Sequence, residues 1–504
     1  MESNTVRAEP HPRRWWILGV LCLSLLVLVV DNTVLNLAIP VLMTDLGASP
    51  SEIQWIIDAY VLVFAGLLLT SGSLSDRYGR KRFLIIGLVL FGGASLIALL
   101  VAEPWQLIAA RALMGVGGSI LMPSTLSILI TVFDESERRK AIAAWSAVAM
   151  VGVIAGPTLG GFLLQHYWWG SIFLLNVPIT VVAVIAALLL MPETRGPARR
   201  LDPIGVLLST VGMGALVFVV ISAPGAGWTS AKTLIAAVLA VLALGGFVLW
   251  ERRAERPMLP LELFRDRNFS GSSFSIVLLS FGTGALLLML TQYLQFVLGY
   301  GPMRAGLALL PYAVGAALFN AVGAGLGQKV SNRTLVAVGL AVMALGFGVL
   351  AFMTADTGYG LMITGLMLMG VGGGLAGPAA YATLMGAVPP EHAGVGSALN
   401  DTVQQVGMAL SVAVLGSVLA GVYTSAMPAE APAAARGSIG GALVLGDPAL
   451  ARTAKEAFVS AMSFGSWVGV GFTLAAAALA LTMLRPAPVP AAAVSEPGMV
   501  ETGS

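Results

Sequence analysis

The sequence predicts an all-α membrane protein with fourteen transmembrane helices. Of its 504 residues, 57% are hydrophobic and only 10% are charged, whereas a soluble domain carries about 25% charged residues. So few charges cannot cover the surface of a water-soluble protein of this size. The 60 glycines suit helices that pack closely in lipid, where small residues let backbones approach each other.

A spanning helix needs about 20 mostly apolar residues, and fourteen such runs follow one another along the chain. The predicted helices begin near residues 15, 51, 83, 104, 140, 170, 203, 231, 270, 303, 334, 360, 396 and 457, and the last one ends near Leu484. The runs are continuous, which disfavours a β-barrel with its short alternating segments. The first run is longer than the core of a signal peptide, so we expect it to be retained as a helix.

Basic residues mark every second loop, and this asymmetry predicts an orientation. With the N-terminus inside, the inner loops hold most of the arginines and lysines, among them Arg77, Arg80, Lys81, Arg82, Arg138, Arg139, Lys140, Arg195, Arg252, Arg253 and Arg333. The short outer loops hold almost only Lys232 and Arg304. We therefore expect a multi-pass protein of the inner (cytoplasmic) membrane with both termini in the cytoplasm.

The chain also repeats itself. Residues 114–119, with Pro123, are echoed by residues 369–374, with Pro378. Parallel repeats of this size indicate two related helical bundles with a cleft between them. The surplus near residues 203–250 predicts two helices inserted between two six-helix bundles.

The predicted organisation is therefore an N-terminal six-helix bundle over residues 1–195, two inserted helices with a cytoplasmic linker over 196–268, and a C-terminal six-helix bundle over 269–485. Residues 486–504, rich in Pro, Ala and Ser, are expected to form a disordered cytoplasmic tail.

The loop after the second predicted helix, residues 72–82, is the candidate inner gate. Its candidate residues are Gly72, Asp76, Arg77, Gly79 and Arg80. Gly72 allows close helix approach, Asp76 can face a helix N-terminus, where a carboxylate is favoured, and the basic cluster holds the loop inside. A loop that only obeyed the positive-inside rule would not need this spacing.

This segment resembles the signature loop of the major facilitator superfamily, and further segments resemble its fourteen-helix drug:proton antiporter family. They are residues 31–40 in the first helix, Arg111 with Gly115, Gly117 and Gly118 in the fourth, Gly152, Gly156, Pro157, Gly160 and Gly161 in the fifth, residues 173–178 in the sixth, and residues 397–402 in the thirteenth. The resemblance covers residues 15 to about 484. It implies the major facilitator fold, a proton-coupling role for Arg111, and an antiporter motif in the fifth helix.

Two charged residues of the first half lack charged counterparts in the second half. Gln328 in the second half occupies the position equivalent to Asp76, and Leu366 occupies the position equivalent to Arg111. We therefore expect an asymmetric inner gate.

Ionisable residues at membrane depth cost roughly 2.5–3.5 kcal/mol on insertion scales, so each is a functional hypothesis. Four such residues, Asp31, Asp58, Arg111 and Asp401, are the candidate proton-coupling residues. Asp31 lies about 24 Å along the first helix, at 1.5 Å per residue. It is either a proton site, or an anchor for a cationic group, or a structural carboxylate bonded to Asn32, Thr33 or Asn36.

The other three also leave alternatives open. Asp58 is either a titrating group in the cleft or a wet interfacial carboxylate. Arg111 can pair with a carboxylate, with Asp31 and Asp58 as the natural candidates, and a purely structural pair is the alternative. Asp401 begins the thirteenth helix, where it is either a second acidic site or, as we favour slightly, a carboxylate held by the helix dipole.

Substrate-binding candidates are Asn36, Trp55, Tyr60, Tyr293, Tyr312 and Asn400. Aromatic rings can hold flat cations through cation–π contacts, although as a class they are more often packing or interface anchors. No metal spacing, phosphate-binding loop or catalytic constellation is recognisable, so we expect no enzyme activity and no cofactor, with the proton gradient as the energy source.

The sequence therefore predicts a proton-coupled antiporter that exports small lipophilic or cationic drugs or antibiotics. The alternatives are a dedicated exporter of one self-made metabolite or antibiotic, and a membrane receptor or assembly protein that uses the scaffold without transport. The expected partners are a small organic substrate, protons and the lipid bilayer, with no nucleic acid; a monomer is one arrangement that the sequence allows.

Overall fold

The computed structural model describes residues 12–48, 50–196, 202–254, 261–327, 329–355, 357–389 and 393–485. Gln328 and the predicted disordered tail lie outside these ranges, and so do the side chains of Asn36 and Pro157. Within the described residues the chain is helical and forms no strand. Fourteen helical spans in the same ranges are long and apolar enough to cross a membrane. The predicted all-α membrane fold is therefore confirmed.

The first half of the chain (residues 14–190) contains seven helices. They are α1 (Arg14–Asp45), α2 (Pro50–Tyr78), α3 (Arg80–Ala98), α4 (Pro104–Val132), α5 (Glu135–His166), α6 (Ser171–Leu174) and α7 (Asn176–Leu190). Since α6 and α7 together form one span, this half crosses six times. Two inserted helices follow, α8 (Pro203–Ala226) and α9 (Ala231–Glu251).

The second half (residues 267–483) contains the remaining helices. They are α10 (Arg267–Gln292), α11 (Pro302–Ala308), α12 (Leu310–Leu326), α13 (Asn332–Leu350), α14 (Tyr359–Gly386), α15 (Ala393–Ala426), α16 (Ala433–Gly437), α17 (Ile439–Val444) and α18 (Pro448–Met483). A 3₁₀ turn (Leu261–Arg265) precedes α10 and a π turn (Tyr293–Val297) follows it. A single span runs across α11 and α12.

The first thirteen predicted starts lie within a few residues of the observed spans, but the fourteenth is wrong. Helix α18 begins at Pro448 and not near residue 457. Asp447 caps it by accepting from the backbone N–H groups of Ala449 and Leu450, and proline is favoured at the first helical position. The polar turns that follow are helical without being apolar, so hydropathy alone missed them. The preceding loop, between α15 and α18, contains α16 and α17.

Buried side chains form one cluster within residues 17–191 and two more drawn mainly from the second half. The repeated glycine segments occupy equivalent places in the two halves. A Cβ added to Gly115 of α4 would lie 2.7 Å from the carbonyl oxygen of Tyr60 in α2. A Cβ on Gly370 of α14 would overlap the carbonyl oxygen of Tyr312 in α12. Each repeat therefore brings two helix backbones into direct contact.

The inserted helix α8 touches both halves. Its Thr210 lies against Gly66 of α2, and the hydroxyls of Thr210 and Thr70 are 3.2 Å apart. Beyond the end of α8, the Trp228 indole donates to the Ser417 hydroxyl of α15 at 3.3 Å. We call the end of the bundle that carries the turns at 78–82 and 133–138 the basic end.

The close approach of α13 and α14 makes a stability prediction. A Cβ on Gly372 would lie 2.5 Å from the carbonyl oxygen of Gly339 and 2.6 Å from the backbone nitrogen of Met343. Gly372→Ala should therefore destabilise the protein by about 1–3 kcal/mol, since backbone atoms cannot give way. The measurement is the melting temperature of the purified protein in detergent.

Gly348→Ala is the matched control, because a Cβ at Gly348 of α13 meets nothing within 4 Å. Alanine at this position should leave the melting temperature unchanged or raise it, since Ala exceeds Gly in helix propensity. Equal melting temperatures for the two variants would contradict the backbone contact between α13 and α14.

Candidate functional site

A buried ion pair joins α1 to α4. Arg111 Nη1 donates to Asp31 Oδ2 at 2.5 Å, and the two side chains are only 1% and 3% exposed. Arg111 lies two turns into α4, and Asp31 lies in the middle of α1. Of the two carboxylates that the sequence offered to Arg111, the structure pairs it with Asp31.

The second oxygen of Asp31 is held from another helix. Asn176, the first residue of α7, donates through Nδ2 to Asp31 Oδ1 at 2.8 Å and also to the Ser95 hydroxyl at 3.2 Å. From the sequence, Asn176 was identified only as part of the motif at residues 173–178, and this role was not predicted. Thr33, an expected local partner of Asp31, donates instead to the carbonyl oxygen of Val29. Asp31 is therefore bonded across helices, to donors from α4 and α7.

The Arg111 guanidinium is enclosed by α2. Its carbon atom lies 4.3 Å from the centre of the Tyr60 ring, and its Nε donates to the carbonyl oxygen of Ile56 at 3.3 Å. The Tyr60 hydroxyl in turn accepts from Asn32 Nδ2 at 3.3 Å. A cation over an aromatic face is stabilised, more so where water is excluded. The site thus holds a charge pair, an amide and a phenol buried between four helices.

Among the described residues of the second half, a leucine stands where the first half has the guanidinium. Leu366, the repeat counterpart of Arg111, is fully buried in α14. Tyr312 occupies the place of Tyr60 and is itself buried. In the part of the chain that the structure describes, the pseudo-symmetric framework therefore carries this ion pair on the α1–α4 side.

The glycines of α5 pack against α1 beside Asp31. A Cβ on Gly152 would lie 2.9 Å from Val29, a Cβ on Gly160 would lie 2.6 Å from Val34, and a Cβ on Gly156 would overlap the Thr33 hydroxyl. The residue after Gly160, Gly161, lies against Met303 of α11. This contact leaves no room for side chains, or for a file of water, between α1 and α5 where they flank Asp31.

The candidate inner gate forms a compact turn at the basic end. Asp76 Oδ1 accepts from Arg80 Nε at 2.8 Å, and Arg80 is 2% exposed. Gly79 has φ +119°, a backbone conformation that glycine adopts readily and other residues avoid. Gly72 is buried and Arg77 is half-buried in the same stretch.

A segment that follows α7 clamps this turn. The Arg80 N–H donates to the carbonyl oxygen of Thr194 at 2.9 Å, and the Gly196 N–H donates to the carbonyl oxygen of Asp76 at 2.8 Å. Glu193 accepts from the Lys81 N–H at 3.1 Å, at the start of α3. Sequence reasoning missed this clamp, although an acidic residue directly after an apolar run and close to a basic loop was a usable signal.

Asp401 lies inside α15 and is buried. Helix α15 begins at Ala393, so Asp401 lies beyond its second turn and is 2% exposed. The favoured interpretation as a carboxylate held by the helix dipole stays a prediction; residues 390–392, which precede the helix, lie outside the described ranges. Asn400 Nδ2 donates to Asp401 Oδ1 at 3.1 Å.

The remaining candidates lie apart from the ion pair. Asp58 is half-buried on α2, and Trp55 is 40% exposed with its ring 5.9 Å from that of Phe218 in α8. The buried Tyr293 donates its hydroxyl to the carbonyl oxygens of Thr354 and Thr357, in the loop between α13 and α14. Such bonds are typical of a structural tyrosine.

Three comparisons with known proteins agree. A family model described as Major Facilitator Superfamily matches residues 21–412. The chain is 34% identical to the multidrug efflux pump LfrA of Mycolicibacterium smegmatis over 92% of this chain and 93% of that protein. It is 38% identical to the puromycin resistance protein pur8 of Streptomyces alboniger over 82% and 83%. It is 36% identical to the cephamycin export protein CmcT of Amycolatopsis lactamdurans over 85% and 89%.

Among solved structures, the human organic anion transporter MFSD10 (TETRAN) resembles the chain with a TM-score of 0.59. The alignment covers 92% of this chain and all of that one at 13% identity, so the likeness concerns the fold alone. The family match and the curated relatives carry the assignment further. The chain belongs to the major facilitator superfamily, a family of transporters.

Proposed function

We propose that this protein is a proton-coupled antiporter that exports small lipophilic or cationic drugs or antibiotics across the cytoplasmic membrane. The observation that carries the proposal is the buried Asp31–Arg111 pair, which places a titratable carboxylate at membrane depth. The relatives named as efflux and resistance proteins support the substrate class. The positive-inside rule supports assigning the basic end to the cytoplasm.

The chemistry of the pair supplies the coupling. An ionised Asp31 satisfies Arg111, so the two charges cancel within the helix bundle. When a proton binds Asp31, the guanidinium loses its counter-charge, and breaking a buried pair costs about 3–5 kcal/mol. That cost is relieved if the halves rearrange and water or substrate reaches the site. The driving force is about 2.3 kcal/mol per charge per 100 mV of membrane potential.

The packing of α5 on α1 supports one-sided access to Asp31. Gly152, Gly156 and Gly160 bring the two helices into contact on the flank of the carboxylate. Protons and substrate must then reach Asp31 through the cleft between the halves and not along α1. The clamp of Glu193, Thr194 and Gly196 on the inner-gate turn would hold the cytoplasmic end shut in one state. Asp58 and Asp401 are further acids that can bind protons during the transport cycle.

A dedicated exporter of one self-made antibiotic is the second candidate. It is favoured by the relatives named as a cephamycin export protein and a probable actinorhodin transporter. A substrate panel separates the two functions, because a dedicated exporter transports one compound class while a multidrug exporter transports several unrelated ones.

Replacing Asp31 tests the coupling directly. Asp31→Asn keeps the shape of the side chain and cannot ionise, so proton-driven ethidium transport in energised membrane vesicles should fall to the level seen with an uncoupler. Asp45→Asn, an exposed residue near the end of the same helix, should leave transport intact. Normal coupled transport by Asp31→Asn, or uncoupler-insensitive transport by the unaltered protein, would refute the proposal.

The pair also makes a stability prediction. Asp31→Asn leaves a buried guanidinium without its counter-charge, so the melting temperature should fall, by an amount equivalent to about 3–5 kcal/mol. Adding Arg111→Gln removes that charge and should restore much of the loss. Adding Arg304→Gln, an exposed arginine, should restore nothing. A double variant with Arg111→Gln that is less stable than Asp31→Asn alone would show that the charge pair does not dominate the site.

A further inference from the structure

Two pairs of serine hydroxyls join α2 to α4 inside the first half. The hydroxyl oxygens of Ser71 and Ser119 are 3.1 Å apart, and those of Ser75 and Ser124 are also 3.1 Å apart. All four residues are buried, with exposed fractions between 0% and 4%. Ser71 and Ser75 lie one turn apart on the same face of α2, so the two pairs follow one another along the contact between the helices. We call these two pairs the serine ladder.

The serine ladder leads to the inner-gate turn at the basic end. Ser127, one turn beyond Ser124 on α4, is 1% exposed, and its hydroxyl oxygen lies 3.5 Å from Asp76 Oδ1. Asp76 directly follows Ser75 and accepts from Arg80 Nε at 2.8 Å. The ladder therefore ends at a carboxylate in the turn where α2 meets α3.

The opposite end of the serine ladder reaches the ion-pair site through Tyr60. The Tyr60 ring lies over the Arg111 guanidinium, 4.3 Å from its carbon atom. A Cβ added to Gly118 would lie 3.0 Å from the Tyr60 hydroxyl oxygen, and Ser119 is the next residue of α4. The phenol therefore extends from the charge pair to the residue beside the first serine pair.

In the second half, glycine and alanine occupy the positions equivalent to the serine ladder. In the register that equates Asp76 with Gln328 and residues 114–119 with 369–374, the counterparts of Ser71, Ser75, Ser119 and Ser124 are Gly323, Gly327, Gly374 and Ala379. A Cβ added to Gly323 of α12 would lie 3.2 Å from the carbonyl oxygen of Gly374 in α14. The equivalent helices thus pack closely through glycine, and packing alone does not require the serines.

Hydroxyl groups arranged in this way can relay a proton. Each serine has one O–H donor and two acceptor lone pairs, so it can accept a proton on one side while it releases its own on the other. Successive pairs are four or five residues apart, about 6–7.5 Å along the helix axes. A water molecule between two pairs can hydrogen-bond to both, and buried waters with polar partners are a regular part of folded proteins.

We propose that the serine ladder is the route by which protons leave Asp31 for the cytoplasm. The proton released by Asp31 passes over bridging waters, the Tyr60 hydroxyl and the two serine pairs to Asp76, and one proton then leaves Asp76 for water at the basic end. Each relay hydroxyl gains one proton and gives up another, so no net charge remains on the route. This inference rests on the proposed function, because it assigns the path of the coupled proton.

A separate exit for protons removes a conflict in the cleft. In a proton-coupled exporter, substrate enters the cleft from the cytoplasm while protons leave in that direction. The contact between α2 and α4 lies inside the first half, so substrate in the cleft does not block it. Protons load Asp31 through the cleft and leave along the serine ladder. The hydroxyls accordingly lie in the half that carries the ion pair.

Removing one serine pair tests the route. Ser75→Ala combined with Ser124→Ala deletes two hydroxyls and leaves Asp31, Arg111 and Asp76 in place. In proteoliposomes, ethidium transport driven by a pH gradient should fall by about tenfold or more, because positioned proton-transfer groups make large contributions to rate. Exchange of ethidium for ethidium moves no net proton and should keep the parental rate. The exchange rate also reports that the variant is folded.

Two matched variants separate the relay from packing. Ser75→Thr keeps a hydroxyl and should retain most of the proton-driven rate. Ser275→Ala removes a buried hydroxyl of α10 that donates to the carbonyl oxygen of Gly271 in its own helix at 2.7 Å, and it should change neither rate.

Three results would contradict the route. They are a parental proton-driven rate in the double alanine variant, an equal loss of proton-driven transport and exchange, and a selective loss of proton-driven transport in Ser275→Ala. Each leaves the proposed function standing as long as the unaltered protein couples ethidium to protons. Ethidium transport by the unaltered protein that ignores the pH gradient would instead remove both the proposed function and the route.

Discussion

The ion pair between Asp31 and Arg111 is the interaction on which the rest of the structure depends. Two opposite charges lie among apolar helices, and removing them from water costs several kcal/mol per ion before their attraction is counted. The surrounding structure offsets that cost with Asn176 on the free oxygen of Asp31 and with the Tyr60 ring over Arg111. Glycine packing between α1 and α5 keeps water from the flank of the pair. These contacts give both members of the ion pair partners within the helix bundle.

Helix α2 connects this site with the basic end. Ile56 and Tyr60 contact the guanidinium, and Asp76 near the end of the same helix bonds Arg80 in the inner-gate turn. A continuous helix transmits a tilt or a shift along its length. A change in the contacts of Arg111 therefore moves α2, and the end of this helix is bound by Thr194 and Gly196 at the inner-gate turn. This coupling between the ion pair and the inner-gate turn is a hypothesis, and the proposed rearrangement of the two halves motivates it.

The asymmetry between the halves has a physical reason. Both glycine-rich repeats pack in the same way, since Gly115 and Gly370 each allow a neighbouring helix backbone to approach closely. Packing tolerates a leucine where the first half has Arg111, because Leu366 fills its place in an apolar setting. One half can thus serve mainly as a framework while the other carries the charge, although Asp401 adds an acid to the second half near the basic end.

Hydropathy predicted thirteen of the fourteen helix starts because lipid demands long apolar runs, and the pairing of Arg111 with an acid followed from the cost of a lone buried charge. The start of α18 was wrong because its first turns are polar and lie beyond the apolar run. The role of Asn176 comes from a contact across more than a hundred residues of chain, and no pattern in the sequence marks its partner. The predicted division into bundles at 195 and 268 stays a prediction.

The most direct test of the account is whether substrate movement drives proton movement. A concentration gradient of a transported cation such as ethidium is imposed across the membrane of proteoliposomes that have no membrane potential. The cation then moves down its gradient, and a pH-sensitive dye reports the pH on the side of the membrane that the cation enters. The account predicts protons moving against the substrate in the unaltered protein and no proton movement with Asp31→Asn. Substrate movement by the unaltered protein without counter-moving protons would contradict it.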